Sequence, residues 1–521
     1  MSGRDEAIDN RIHDVMVRCE KFAAGRGNFN SDPVVRRNQR RPRFRHVRLA
    51  GCGENKPIDH RVHDGRIRFV ILDRVGIVDR IDNRRSRSWS WLRALSKSGN
   101  GGAEENRSYV SHRQITFQRH DELMSERVNN NCATVVAAVS AVDPRANAGD
   151  TPATTETIRH IYAHIPFCAR ICPYCAFYKD LLDRSETARF CEAILCDLDK
   201  QCAAFAILPR TVYFGGGTPT ALTTSQLEFL LGGFRQRLDI SALEEWTVEA
   251  NPGSVSARKA AALRRLGINR LSLGVQSWDE DLLKTLGREH NAPQAEKSFQ
   301  ILRGAGFSNI NVDLMFGLPG QTIEQWRVTL QKTIALQPEH ISAYCLTYEE
   351  DTEFFLRQSR GEFRQDADID AEFFEMTMSI LEDAGYQHYE ISNYARPGFS
   401  SRHNRAYWSG ENYLGIGPSA FSTVGMRRWQ NVADYRTYAD RVLSGQSPIG
   451  STENLTSEIK RVETIALSLR TNKGVSAALL TPFQNETREF IALGLLGKTN
   501  GNFVLTRAGK ALADLVTEAV I

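Results

Sequence analysis

Ile158-Arg-His-Ile-Tyr162-Ala-His164-Ile-Pro166-Phe-Cys168-Ala-Arg-Ile-Cys172-Pro-Tyr174-Cys175 is the stretch on which the fold turns. Its first eight residues are β-rich, and Pro166 marks the end of the run. Three cysteines follow at x3 and x2 spacing, so a strand delivers a cysteine loop at its C-terminal end. Thiolates are the preferred ligands of iron–sulfur clusters, and several from one short loop can wrap a single cubane. Three ligands for four irons leave one iron open to a reacting ligand. A zinc knuckle would need a fourth ligand, and His164 lies on the wrong side of Pro166 to supply it. Spacing alone leaves zinc and a chance cluster of cysteines open.

Working outward, further β-rich runs occur at 211–214, 246–249, 270–275, 309–315 and 340–346. Amphipathic segments lie between them at 185–205, 256–266, 292–305 and 323–336. Strand–helix repetition at this interval predicts parallel strands with right-handed crossovers. Six such units make an α/β fold, either an incomplete parallel (β/α)6 barrel or an open doubly wound sheet. In both, ligands gather at the C-terminal ends of the strands.

The 521 residues carry a net charge of +4, with 41% apolar and 25% charged residues, an ordinary globular composition. No run of eighteen apolar residues occurs, and Met1–Asn10 has no apolar signal region, so a cytoplasmic location is expected. Ten cysteines without a disulfide-like pattern fit a reducing compartment. Cys191 and Cys196 fall in a helical stretch and read as buried small apolar residues. Residues 1–154 lack periodicity and read as a low-order extension, with seven arginines between Arg36 and Arg48. No nucleic-acid-binding module accompanies those arginines, and no nucleic-acid partner is expected. Met124 is the sole methionine between Met16 and Met315, which places an expected translation start nearer the barrel. Asp143 to Thr157 reads as a linker.

The cysteine loop resembles the signature of radical S-adenosylmethionine (SAM) enzymes related to oxygen-independent coproporphyrinogen oxidase. Tyr213-Phe-Gly215-Gly216-Gly217-Thr218-Pro219-Thr220 resembles the glycine loop of that superfamily. Glycine alone accepts φ > 0 and lets backbone N–H groups approach a ligand closely. Glu249-Ala-Asn251-Pro252, Gly274-Val-Gln276-Ser277, Leu286-Gly-Arg288-Glu-His290 and Asp313-Leu-Met-Phe316-Gly-Leu-Pro319-Gly320 extend the resemblance along successive strands. It implies a 4Fe–4S cluster on Cys168, Cys172 and Cys175. It implies SAM contacts at Tyr162, Tyr174, Gly216, Gly217, Thr218, Glu249, Gln276, Arg288 and Asp313. Many relatives carry Asp after the third cysteine; Ala176 here donates nothing, although the thiolates are untouched.

Two features choose a branch of the superfamily. Coproporphyrinogen-oxidising members carry a further cysteine two residues past the third ligand, where this chain has Phe177. His403-Asn404-Arg-Ala-Tyr407-Trp408 resembles the His-Asn-x-x-Tyr-Trp motif of HemW-type haem chaperones. That resemblance implies haem as a ligand, with His403 and Tyr407 at its site and His290 as a second candidate axial ligand. It implies transfer to acceptor haem proteins, respiratory and membrane-associated ones among them; a homodimer is compatible with it. Oxidative decarboxylation of coproporphyrinogen III to protoporphyrinogen IX is the alternative, and whether the chain is an enzyme stays open. The core barrel is expected over 155–396 and a cover domain over 397–521. The segment from Asn412 to Ser422 resembles one that crosses the barrel mouth. Helices at 458–470, 486–496 and 508–516 around a Gly501-to-Thr506 hairpin suggest a small, mostly helical, winged-helix-like end.

Overall fold

The computed structural model describes residues 157–521, with the backbone of two short strands, Val70–Leu72 and Gly76–Val78, that pair antiparallel. The arginine stretch, Met124, the linker up to residue 156 and Cys19, Cys52 and Cys132 lie outside the described residues.

Six strands form the frame: β1 (Ile158–Ile165), β2 (Ile207–Gly216), β3 (Glu245–Ala250), β4 (Arg270–Gln276), β5 (Ile310–Phe316) and β6 (His340–Cys345). They lie side by side in chain order and every neighbouring pair is parallel. Helices α1 (Thr187–Ala204), α2 (Thr224–Arg237), α3 (Ala257–Arg265), α4 (Glu280–Thr285), α5 (Ala292–Gly304) and α6 (Ile323–Ala335) fill the crossovers. Three of them begin with capping boxes, Thr223 with Gln226, Asn291 with Gln294 and Thr322 with Gln325, which satisfy the first free N–H groups. This is the incomplete parallel barrel anticipated from the strand–helix repeat.

Alternation along the strands divides the side chains between two environments. Ile161, Ala163, Val212, Phe214, Trp246, Val248, Leu271, Leu273, Val312 and Leu314 face the helices and form the main core. The intervening residues are polar and bond one another across the strands. Thus His160 pairs with Thr211, Tyr213 with Glu249, Ser272 with Asp313 and Asn311 with His340. The barrel interior is therefore a hydrogen-bonded network.

The sheet runs on at both edges. After α7 (Glu353–Ser359) and α8 (Ala367–Asp383), β7 (Gln387–Glu390) and β8 (Asn393–Ala395) add antiparallel strands beyond β6. Helix α9 (Arg402–Trp408) then leads to the segment expected to cross the barrel mouth. It instead forms β9 (Tyr413–Ile416), parallel to β1 with Tyr413 opposite His160. The open edge of β1 requires a backbone partner, and Leu414 and Ile416 are fully buried in that position. Strands β10 (Phe421–Val424), β11 (Arg427–Asn431) and β12 (Ile449–Asn454) continue antiparallel, with α10 (Tyr435–Leu443) between the last two.

The C-terminal end has its own core of Ile465, Leu469, Phe490, Leu496, Leu505 and Val516. It comprises α11 (Ser457–Leu469), β13 (Val475–Ser476), α12 (Gln484–Ala492) and the hairpin β14 (Leu496–Thr499) and β15 (Asn502–Leu505). The helix expected at 508–516 is two, α13 (Arg507–Ala511) and α14 (Ala513–Glu518), broken at Leu512. Cys191 is fully buried as expected, while Cys196 is only partly buried.

Candidate iron–sulfur and cofactor site

The cysteine loop leaves β1 at Pro166 and is pinned from two sides. Gly217 N–H donates to Ile165 O at 2.8 Å and Thr218 N–H to Phe167 O at 2.8 Å. Gly216 N–H donates to Glu249 Oε2 at 3.2 Å. The N–H groups of the glycine loop, expected to meet a ligand, are thus spent on holding the cysteine loop and Glu249. Contact explains the glycines: a Cβ on Gly217 would sit 2.6 Å from the Pro166 carbonyl, and one on Gly216 2.6 Å from the His164 ring. Gly216 also has φ +107°, which other residues rarely adopt.

His164 is not available as a fourth zinc ligand. Its Nδ1 meets Tyr162 OH at 3.0 Å, and its Nε2–H donates to Tyr178 O at 2.9 Å. Burial holds its pKa down to about 4, so the ring is neutral. Cys168 Sγ lies 3.7 Å from Thr218 Oγ1, and burial pushes this thiol up to about 11. Its proton must leave when metal binds. Among the described residues no three His, Cys, Asp or Glu side chains converge tightly enough for one ion. A cubane asks only that its thiolates line one space, and Cys168, Cys172 and Cys175 do.

That space is a cavity of about 130 Å³ at the C-terminal ends of β2, β4, β5 and β6. Tyr174, Gly216, Gly217, Gln276 and Arg288 line it with the three cysteines. Gln276 is 1% exposed, has φ +68°, and finds no hydrogen-bond partner for either amide atom. A buried amide left so costs about 1–3 kcal/mol, which marks a ligand-facing group. Arg288 Nη1 approaches Cys172 Sγ at 3.6 Å and Tyr174 OH at 3.5 Å, while Nη2 donates to Gly274 O at 2.8 Å. Tyr162, Glu249 and Asp313 support this wall from behind or below. Tyr162 OH holds His164, Glu249 Oε1 accepts from Tyr213 OH at 2.8 Å, and Asp313 accepts from Ser272 Oγ at 3.1 Å and Asn311 Nδ2 at 2.9 Å.

Two residues of this wall were not assigned from sequence. Asn251 donates to Thr218 Oγ1 at 2.8 Å and accepts from Arg288 Nη2 at 2.5 Å, joining the glycine loop to the arginine. Its position just past the third strand was the available signal. Cys345, which no sequence motif singled out, ends β6 and lines the same cavity. Thr218, Asn251, Arg288 and His290 also line a second cavity of about 420 Å³ beside the first.

The haem candidates separate. His403 is fully buried at the opposite end of the barrel, level with Thr211 and five residues before Gly216 along β2. At ~3.3 Å per residue that is roughly 15 Å from the cysteine cavity. Glu411 accepts from His160 Nε2–H at 3.0 Å, so His160 Nδ1 accepts from Thr211 Oγ1 at 2.9 Å. Thr211 then accepts from His403 Nδ1–H at 2.7 Å, leaving the His403 Nε2 lone pair buried and unpartnered. That tautomer leaves Nε2 as the free acceptor of the ring. One ring face stacks on Tyr213 at 5.1 Å and Tyr407 packs at a steep angle to the ring at 4.7 Å. His403 and Tyr407 thus pack in the barrel floor, away from the cysteine cavity. His290 is 6% exposed and lines the larger cavity, with Nε2–H donating to Val275 O at 3.0 Å. That bond leaves Nδ1 as the ring's acceptor, and burial keeps the ring neutral with a pKa of about 4.

An incomplete six-stranded parallel barrel with three cysteines in the loop after its first strand, and polar groups converging at the strand ends, defines a radical SAM protein. The family model described as the radical SAM superfamily matches residues 162–333. The chain is 40% identical to the haem chaperone HemW of Lactococcus lactis over 62% of its own length and 84% of that protein. It is 35% identical to HemW of Bacillus subtilis over 70% of its length and 99% of that protein. The chain belongs to the HemW family. Its fold is similar to that of Escherichia coli coproporphyrinogen III oxidase HemN, with a TM-score of 0.62 at 22% identity over 70% of this chain and 90% of that one.

Proposed function

We propose that this protein binds haem and hands it to acceptor haem proteins, on a scaffold that carries a 4Fe–4S cluster and SAM. The observation that carries the cofactor reading is the cavity shared by Cys168, Cys172, Cys175 and the unpartnered amide of Gln276. The residues fit the groups: thiolates for three irons, Arg288 for a carboxylate, Gln276 for polar atoms of the ligand. When bound, the cluster and SAM supply one-electron chemistry. The chain's own residues position them: Thr218 and Asn251 hold Arg288, and Glu249 holds the glycine loop. The same reading takes 155–396 as the cofactor-holding unit and looks for its cover in the part of 397–521 beyond β12, since α9 packs in the floor and β9 to β12 extend the sheet, with acceptors beyond the chain.

The haem reading is supported by membership of a family whose relatives are named haem chaperones. Phe177 in the place of a further cysteine supports it against coproporphyrinogen oxidation. His290 is the residue proposed for the iron, since it is buried, neutral and lines the larger cavity with Nδ1 unspent. Among the described residues no helix is long and apolar enough to cross a membrane. The test is an anaerobic assay of the reconstituted protein. A saturable Soret shift on haem titration is expected, lost in His290→Ala and retained in His403→Ala. Conversion of coproporphyrinogen III to protoporphyrinogen IX with SAM and a reductant would overturn the transfer reading.

A further inference from the structure

Asn251 lies one residue past β3, and its own backbone is held fast. Its carbonyl accepts from Ser254 N–H at 3.0 Å and from Ser254 Oγ at 2.6 Å. Its side-chain oxygen fills the space left by Gly274, where a Cβ would come within 3.0 Å of it. The amide can be oriented in one way alone. Arginine has no acceptor, so the oxygen must face Arg288 Nη2, 2.5 Å away, and Nδ2–H is turned to Thr218 Oγ1 at 2.8 Å.

That orientation decides where further protons go. Thr218 Oγ1 accepts from Asn251, and the partner left for its own proton is Cys168 Sγ at 3.7 Å. Arg288 Nη2 spends its two protons on Asn251 Oδ1 and Gly274 O. Nη1 is thereby aimed at Cys172 Sγ at 3.6 Å and Tyr174 OH at 3.5 Å. One amide thus directs donors onto two of the three sulfurs. A hydrogen bond to a cluster sulfur offsets negative charge, which favours the reduced, more negative cluster and raises its potential.

We propose that Asn251 is a positioning residue for the cluster: by holding Thr218 and Arg288 as donors to Cys168 and Cys172, it raises the reduction potential of the 4Fe–4S centre. This rests on the cluster reading above and adds to it how the chain sets the redox state of that cluster. Its signature is the dependence of one side chain on another. In Asn251→Asp both side-chain oxygens accept, so the Thr218 hydroxyl turns from Cys168 to the carboxylate, and removing that hydroxyl afterwards changes nothing further.

The experiment is a mediated redox titration of the reconstituted full chain without SAM, followed by electron paramagnetic resonance, after matching iron content and melting temperature. Thr218→Val should lower the potential, and Thr218→Ser, which keeps the hydroxyl, should hold the wild-type value. In Asn251→Asp the ratio of reduced to oxidised cluster at a fixed potential should fall at least tenfold, a shift of ~59 mV or more for one electron. Thr218→Val should have no further effect in that background, so the two substitutions are not additive. Asn251→Ala removes both contacts without adding a charge and should lower the potential in the same direction. A wild-type potential in either Thr218→Val or Asn251→Ala, or a Thr218→Val effect that adds in full to that of Asn251→Asp, would overturn the proposal while leaving the cluster in place. A wild type that takes up no four-iron cluster on reconstitution would overturn the cluster reading, and this role with it.

Discussion

At the scale of single residues, Gln276 is the most informative side chain of the site. It closes β4 in a left-handed conformation, 1% exposed, with both amide atoms unpartnered. Without a ligand it is a liability, because a buried polar group lacking a partner costs about 1–3 kcal/mol. With a ligand the same groups become its contacts. Gln276→Met keeps the volume and removes the unmet demand, so the cofactor-free variant should melt at a higher temperature by a margin near 1 kcal/mol. Its SAM affinity, measured by calorimetry on cluster-loaded protein, should fall at least tenfold. Unchanged affinity would remove Gln276 from the cofactor site. The triple glycine shows how residue-level legibility can mislead. Its presence after a strand pointed correctly to the site, but for a reason that differs from the observed one. Gly217 is required because the Pro166 carbonyl would meet its Cβ at 2.6 Å, a contact between segments fifty residues apart that no local pattern discloses.

At the scale of elements, α9 carries the motif that separated the branches of the superfamily, and its place explains what the motif does for the fold. The Glu245 carboxylate sits at its N-terminus, accepting from Arg402 N–H at 2.9 Å, His403 N–H at 3.1 Å and Ser401 Oγ at 3.3 Å. A carboxylate there satisfies free N–H groups and meets the positive end of the helix. Tyr389 OH accepts from Ser401 N–H at 3.3 Å and lies 2.8 Å from His340 Nε2, which ties the same turn to β6. Helix α9 is thereby a stopper in the barrel floor. Glu245→Ala removes three acceptor contacts from a residue only 4% exposed, and should lower unfolding stability by about 2–4 kcal/mol. Iron content should stay near wild type, because the cysteine loop is at the other end. A variant that loses its cluster but keeps its melting temperature would show that α9 serves the site directly. The six strands and four of the crossover helices, α1, α3, α5 and α6, were legible because their periodicity is local, and their ends fell within a few residues of the expected ones; α2 and the short α4 were not among the expected segments. The partners of α9 were not, since a His-Asn-x-x-Tyr-Trp string shows nothing of Thr211, Glu245 or Tyr389 packed against it. For the same reason the run from Asn412 was read as a cover: its pairing partner, β1, lies some 250 residues upstream.

At the scale of the whole molecule, the polar barrel interior sets how the fold responds to acid. Apolar residues face the helices in the expected way, so the parallel sheet was readable, but the strands' inward residues form a titratable network. His164, His290 and His388 are each 5–6% exposed, and burial holds their pKa values down to about 4, about 4 and about 3. Each accepts or donates as a neutral ring: His290 and His388 donate Nε2–H to Val275 O and Ile391 O, and His388 Nδ1 accepts from Lys510 Nζ at 3.0 Å. In the unfolded chain the same rings take up protons near pH 6.5. Between about pH 6.5 and 4 the unfolded state therefore binds more protons than the folded state, and unfolding stability falls as the pH falls. Each ring lowered by two to three units contributes up to about 3 kcal/mol by pH 4. His160, His340 and His403 are lowered too, by desolvation first in each case, and add in the same direction. Denaturant unfolding of the cofactor-free protein at a series of pH values should show stability nearly flat from pH 8 to 7 and dropping steeply below about 6. His388→Gln, which places an uncharged hydrogen-bonding group far from the cysteine cavity, should flatten that slope by about one proton. A slope that is the same in His388→Gln, or stability that holds level down to pH 5, would mean that water or a rearranged network lets these rings take up protons while the barrel stays folded.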